Sequence, residues 1–249
     1  MNSKMVNFFD STYLKTKEQA NISSEEDIHC IKSVVLEAIE HQFKLVMIRS
    51  SHISLARQII AAKNSQVLVG TVIDFPSGTS STEIKLNEIQ SAIELGADDI
   101  DVVINYNRFI QNEKDYIANE VKECTALCLS NNKTIKWIIE SAALSDNEII
   151  NICQLIRDIV LENFENAKSQ DVFVKSSTGF YVSPNSEPNG ATVSAIKLMV
   201  EHSSPLAVKA SGGIRSAEDF YTMIDLGVKR IGTSSALAIL QGKHSNSNY

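Results

Sequence analysis

Cysteine is scarce in this sequence and has no partner at useful spacing. Cys30, Cys124, Cys128 and Cys153 are the four present, and no two form a C-x-x-C pair. Cys124 and Cys128 stand four apart, on one face of a helix, so buried thiols in a reducing compartment are expected rather than a disulfide frame or a metal site. The histidines, His29, His41, His52, His202 and His244, show no ligand spacing either, and no metal or other cofactor is expected. An excess of positive charge is also missing. Lys and Arg number 23 against 30 Asp and Glu, a formal net charge of −7. That balance argues against a nucleic-acid partner or an anionic membrane surface, but not against one local phosphate pocket. No apolar run approaches the roughly 18 residues of a membrane span. Residues 1–10 lack the apolar stretch of a signal peptide, so a cytoplasmic protein is expected.

What is present is ordinary globular composition, 43% hydrophobic and 21% charged over 249 residues. A core of that size needs no covalent or metal staple. Short apolar runs alternate with longer helical stretches. Strands are predicted at 6–9, 44–48, 67–73, 99–104, 134–139, 171–174, 206–208 and 229–232. Between them lie helical patterns. One is capped by Ser23 with acids in its first turn, and another by Ser145. Others cover 53–63, 81–95 with Gly96 as a stop, 116–130, part of 190–202, 217–226 and a last helix through 240. Eight such alternations predict a (β/α)8 TIM barrel, α/β in class, as a single domain over 1–241, with a flexible tail at 242–249. The strands read as continuous apolar runs, as expected where helices cover a sheet. A doubly wound open sheet is the runner-up, but no G-x-G-x-x-G follows the first strand.

In TIM barrels the active site lies at the C-terminal ends of the strands. The polar residues predicted there are Asp10, Thr12, Asp101, Lys136, Glu140, Lys175, Lys209, Ser234 and Ser235. Lys175 is oddly placed, directly after an apolar strand and before the turn Ser-Ser-Thr-Gly179. The expectation is that it is a covalent catalyst and that Thr178 and Gly179 behind it hold substrate. Lys209 ends the next strand, about 4.8 Å away in a sheet. With ammonium groups roughly 5–6 Å apart, repulsion of roughly 3 kcal/mol would hold one lysine partly neutral, about two pKa units below its usual value. A neutral amine can attack a carbonyl, and Asp101 could take a proton. Asp101 reads equally well as a cap or ion-pair residue, and Lys136 and Glu140 could simply pair with each other. Independently, Gly212-Gly213 and Gly232-Thr-Ser-Ser235 follow the last two strands, where such barrels bind phosphate. Glycines let backbone N–H groups approach an anion, and Gly179, Arg215, Ser234 and Ser235 could add donors.

The ordered segments Asp10-Ser-Thr-Tyr-Leu14, Thr71-Val-Ile-Asp-Phe-Pro-Ser-Gly78, Gly96-Ala-Asp-Asp-Ile-Asp-Val-Val103, Lys136-Trp-Ile-Ile-Glu140, Val174-Lys-Ser-Ser-Thr-Gly-Phe180, Val208-Lys-Ala-Ser-Gly-Gly-Ile-Arg215 and Arg230-Ile-Gly-Thr-Ser-Ser235 carry a resemblance. Along nearly its whole length the chain resembles the 2-deoxyribose-5-phosphate aldolase family. The resemblance implies reversible cleavage of deoxyribose 5-phosphate to acetaldehyde and glyceraldehyde 3-phosphate, a step of deoxyribose phosphate breakdown. It implies Lys175 as the Schiff-base lysine, Lys209 as the lysine that perturbs it, and Asp101 in the proton relay. It places Gly179, Gly212, Gly213, Gly232, Ser234 and Ser235 in the phosphate pocket and gives the terminal Tyr249 a part in proton transfer. A small sugar phosphate is the expected partner, with a homodimer or homotetramer as the expected assembly. The chain departs from the family pattern at Met47-Ile-Arg-Ser50, where many members carry Cys-Val-Asn-Pro. It departs again at Phe180, where some carry lysine, and over 181–189, a longer loop than usual. Two readings outside aldol chemistry stand beside it: a metal-free sugar-phosphate isomerase with Asp101 or Glu140 as base, and a non-catalytic phosphosugar-binding barrel.

Overall fold

A computed structural model describes residues 2–165, 171–183 and 190–243. Eight parallel strands close into a barrel in sequence order. They are β1 (Phe9–Tyr13), β2 (Leu45–Ile48), β3 (Leu68–Ile73), β4 (Asp99–Val103), β5 (Thr134–Ile138), β6 (Val172–Lys175), β7 (Ala207–Ser211) and β8 (Arg230–Thr233). The crossover helices are α1 (Ser24–His41), α2 (Ile53–Ala62), α3 (Thr82–Glu94), α4 (Lys114–Ser130), α5 (Asp146–Asn163), α6 (Val193–Ser203), α7 (Ala217–Asp225) and α8 (Ala236–Leu240). None of the described helices is long and apolar enough to cross a membrane. The expected capping boxes form at Ser23 with Glu26 and at Ser145 with Glu148, each satisfying two N–H groups that a helix start leaves unpaired.

The first strand is the main displacement from expectation. Residues 6–8 form a 3-10 turn and the strand begins at Phe9, so Asp10 and Thr12 lie within β1 rather than after it. Their polarity reads as a turn, yet Asp10 is fully buried and Thr12 nearly so, because the barrel interior supplies partners. Lys209 likewise stands in the middle of β7, not at its end, while Lys175 closes β6 as expected.

Side chains alternate between the two faces of each strand. Those turned to the helices, such as Val46, Val69, Ile100, Ile135, Trp137, Val174, Val208 and Ile231, join one continuous core with the inner faces of the helices. Trp137 Nε1 also donates to Thr125 Oγ1 on α4 at 3.1 Å, so the one tryptophan buries its ring without orphaning its N–H. Inside the barrel a much smaller apolar cluster, Leu14, Leu45, Met47 and Val72 with Leu68, Phe75 and Phe180, occupies the side of β2 and β3. The other strands send charges inward. The expectation of uniformly apolar strands is thus corrected: β1 and β4 to β8 each carry at least one buried ionic residue among apolar ones.

A fully buried lysine outside the barrel interior, Lys85 on α3, ties the loop after β3 to its surroundings. It donates to the carbonyls of Gly78 and Val103 at 3.2 and 2.7 Å and pairs with Glu120 at 2.6 Å. That loop carries Phe75, whose ring meets Phe180 edge-on at 5.2 Å and lies under the Arg49 guanidinium. Phe180 therefore packs into the apolar side of the barrel mouth.

Candidate active site

Register brings the ionic residues together. Lys175 pairs with Lys209 across β6 and β7, Lys209 with Arg230 across β7 and β8, and Asp101 with Lys136 across β4 and β5. Asp101 Oδ2 accepts from both Lys175 Nζ and Lys209 Nζ, each at 2.8 Å. Its other oxygen accepts from Lys136 Nζ at 3.0 Å. The expected neighbours Lys175, Lys209 and Asp101 are one cluster, and the ion-pair reading of Asp101 holds rather than the cap reading.

The cluster is larger than the sequence predicted. Lys136 donates to Asp99 Oδ2 at 2.7 Å. Arg230 reaches Asp10 Oδ1 at 2.8 Å and Asp99 Oδ2 at 2.9 Å, and Lys209 stands 2.6 Å from Asp10 Oδ2. Asp99 and Arg230 were not among the candidates. Their signal was the period of two in Asp99-Ile-Asp101, which puts both carboxylates on one face, and an arginine two residues before Gly232. The suggested Lys136–Glu140 pair does not form. Lys136 turns inward to three aspartates, whereas Glu140 caps β5 in a left-handed conformation, φ 52°, and faces the turn after β6. Glu140 lies two residues past the end of β5, and its left-handed backbone takes it out of the strand's alternation, so it does not follow Lys136 into the barrel.

Electrostatics follow from burial. Desolvation opposes charge on Lys175 and is the largest influence; Asp101 works against it and Lys209 with it, leaving the amine lowered to about 8. The sequence expectation had the direction right but gave first place to lysine–lysine repulsion. On Asp101, burial favours the neutral acid, yet Lys136, Lys175 and Lys209 outweigh it and hold the carboxylate well below the usual range. Asp10 is pulled to about 2, as Arg230, Lys209 and Lys136 overcome its desolvation.

The hydroxyls of the turn behind Lys175 are hydrogen-bonded to the protein. Ser177 Oγ donates to Glu140 Oε1 at 2.7 Å, and Thr178 gives both its N–H and its hydroxyl to Glu140 Oε2. Ser176 Oγ bridges to the backbone of Ser211. The Gly179 N–H donates to Ser177 Oγ at 2.9 Å. These bonds lock the turn behind Lys175 to β5 and β7. Thr12 donates to the Asp10 carbonyl at 2.8 Å.

Among the glycines, Gly212 and the unforeseen Gly190 approach each other backbone to backbone. A Cβ on Gly190, at φ 107°, would lie 2.6 Å from the Gly212 carbonyl, so neither position admits a side chain. Gly212 and Gly213, with Ala191, Thr192 and Glu218, line an open cleft of about 370 Å³. Arg215 is half-buried beside it, with its N–H bonded to Asp219, and Ser234 is exposed while Ser235 is buried. Gly232 lies inside β8, and a Cβ there would stand 3.0 Å from Lys209 Cε. Its bareness gives that lysine room. Tyr249 and most of the expected tail, and most of loop 181–189, lie outside the described residues.

Fold and cluster together define a TIM-barrel enzyme whose barrel interior is ionic on the side of β4 to β8 and apolar on the side of β2 and β3. The DeoC/LacD family aldolase model matches residues 14–242, and the chain belongs to that family. A deoxyribose-phosphate aldolase of Staphylococcus epidermidis is 39% identical over 241 residues, 96% of this chain and 97% of the relative. One from Treponema denticola is 38% identical over 237 residues, 95% and 98% of the two chains. A solved structure described as the unique tetrameric structure of deoxyribose phosphate aldolase from Aeropyrum pernix superposes with a TM-score of 0.77 at 26% identity, covering 97% of this chain and 91% of the other.

Proposed function

We propose that this barrel cleaves 2-deoxy-D-ribose 5-phosphate reversibly, with Lys175 as the covalent amine. The single observation that carries the mechanism is the Lys175 amine, nine-tenths or more buried, lowered to about 8 and sharing one Asp101 oxygen with Lys209. The neutral amine adds to the C1 aldehyde of the open-chain sugar, and water leaves to give a protonated imine. The C3 hydroxyl gives up its proton, the C2–C3 bond breaks, and its electron pair flows into the imine. Glyceraldehyde 3-phosphate departs, leaving an enamine. Protonation at C2 and hydrolysis release acetaldehyde and restore Lys175. Asp101 and Lys209, both at hydrogen-bond distance from one another, move the protons. Tyr249 assists proton transfer in this reading. Gly179, Gly212, Gly213, Gly232, Arg215, Ser234 and Ser235 hold the phosphate, with Thr12 and Thr178 as further substrate contacts. The cleft beside Gly212 and Gly213 supports that placement for its own part of the set.

The relatives' names support the substrate. The isomerase reading is disfavoured because Glu140 is occupied by Ser177 and Thr178 and because that reading gives the buried, lowered Lys175 amine no role. The test is a coupled assay for acetaldehyde release from deoxyribose 5-phosphate, together with borohydride trapping and mapping of the adduct. Release of acetaldehyde with the label on Lys175 is expected. Binding without release, or turnover without a trapped lysine, would sink the proposal.

The pH dependence has a definite sign. Below about 8 the reactive form of Lys175 falls tenfold per unit, so about a tenth is neutral at pH 7. Single-turnover imine formation should therefore rise with pH, pass its half-maximum near 8 and level off above about 9. A rate flat between pH 6 and 8 would contradict the lowered amine.

A further inference from the structure

The seven ionic residues inside the barrel do not balance. Asp10, Asp99 and Asp101 are three carboxylates; Lys136, Lys175, Lys209 and Arg230 are four cations, contributed by β5, β6, β7 and β8. All seven are at most 7% exposed, so water does little to screen them and a surplus charge is costly. The contacts show where the surplus falls. Arg230 bridges Asp10 and Asp99. Lys136 bridges Asp99 and Asp101, with Asp10 at 3.7 Å. Lys209 bridges Asp10 at 2.6 Å and Asp101 at 2.8 Å. Lys175 reaches Asp101 at 2.8 Å and pairs with no second carboxylate among the described residues.

Lys175 and Lys209 use the same oxygen of Asp101 at the same distance, so Asp101 does not tell them apart. Burial hardly does either, at 3% and 0% exposure. Asp10 does. Its Oδ1 is taken by Arg230 Nε at 2.8 Å, which turns Oδ2 toward Lys209. Gly232, in register with Asp10 on the neighbouring strand, leaves room for the Lys209 side chain that a Cβ would crowd at 3.0 Å.

We propose that Asp10 is the positioning residue that selects the amine: held by Arg230, it keeps the proton on Lys209 and so leaves Lys175 as the neutral lysine. This rests on the Schiff-base reading above. Asp10 acts through Lys209 and touches no reacting atom.

Asp10→Asn keeps the shape and removes the charge. Each lysine then has one equivalent contact with Asp101, and the two share the remaining proton. Three results are expected. The borohydride-trapped adduct, confined to Lys175 in the native protein, appears on Lys209 as well, at about a tenth of the total or more. Cleavage at pH 7 falls about tenfold, because Lys175 now competes for the proton it had ceded. The acid limb of the pH–rate profile moves to higher pH, because Lys175 now holds the shared proton for part of the time. Asp10→Glu, which restores the charge, keeps the label on Lys175. A label found on Lys175 alone in Asp10→Asn, with a native pH–rate profile, overturns the proposal. Should the variants not fold, nitrogen-15 lysine NMR of the native protein reads the same asymmetry. Lys209 remaining an ammonium while Lys175 titrates is the expected order, and the reverse overturns it. If the native protein traps no adduct on any lysine, the amine reading itself fails and takes the selector with it, an outcome distinct from a label that stays on Lys175.

Discussion

Lys175→Met is expected to lower cleavage of deoxyribose 5-phosphate by at least about a thousandfold and, at the same time, to stabilise the fold. The two effects have one cause. An amine buried beside two other lysines is reactive because its charged form is disfavoured there, and the same disfavour is carried by the folded state. The sign runs against the usual lysine case. Lys175 titrates near 8 in the folded protein and near 10.5 in the unfolded chain. The unfolded state binds the extra proton, so the cost to stability is fully present below pH 8 and disappears as pH rises from about 8 to 10.5. It amounts to roughly 3 kcal/mol on the order of the shift. Methionine has a similar length and no charge, and the six remaining ionic residues form a balanced set. The variant's denaturation midpoint should therefore exceed that of the native protein at pH 7, with the gap closing toward pH 10. A variant that is inactive but also unstable at pH 7 would show that Lys175 is held by attraction rather than placed against its charge. One that keeps activity within tenfold would remove it from the chemistry.

That prediction depends on how the barrel interior is built, and the interior was only partly legible in the sequence. Helix starts were readable because their chemistry is local: Ser23 and Ser145 each meet a glutamate three residues on, and both form capping boxes. The barrel itself was readable from alternation of element types. Lys175 and Lys209 were readable as neighbours because adjacent strands of a parallel barrel have nearly fixed register, and they do pair. What was lost was anything that required knowing which way a side chain points. Asp10 reads as lying just after the first strand because the apolar run stops at Phe9; its partners Lys209 and Arg230, some 200 residues on, hold it inside the strand. Lys136 and Glu140 looked like a pair because they are near in sequence. In the fold one joins the cluster and the other clamps the turn behind Lys175. Gly190 carried no local signal at all, since its need arises from the Gly212 backbone. The alternation of charge in β4, β5, β7 and β8 was present in the sequence and was read as apolar. Weighing each strand at a period of two would have assigned Asp99 and Arg230 to the same inward face.

Asp101→Asn should cost more stability than any other single change in this cluster, about 3–5 kcal/mol. Asp101 is fully buried and is the carboxylate on which Lys136, Lys175 and Lys209 converge. Asparagine leaves two carboxylates among four cations, and its amide group presents N–H donors where an acceptor is required. The pH signature follows from the folded-state carboxyl, held well below its ordinary value. Its stabilisation is present above the unfolded carboxyl pKa and is lost as pH falls through the folded value, so the native protein should weaken in acid more steeply than the variant. Catalysis should separate into two parts. Asp101 is the largest influence raising the Lys175 amine, opposing burial, so without it more of that amine is neutral at pH 7. Borohydride trapping of acetaldehyde on Lys175 should persist in the variant. Carbon–carbon cleavage, which needs the proton carried between the sugar hydroxyl and the enamine, should fall about 10²–10⁴-fold. Equal loss of trapping and cleavage would mean that Asp101 only holds the lysines in place. Retained trapping with lost cleavage assigns it the proton.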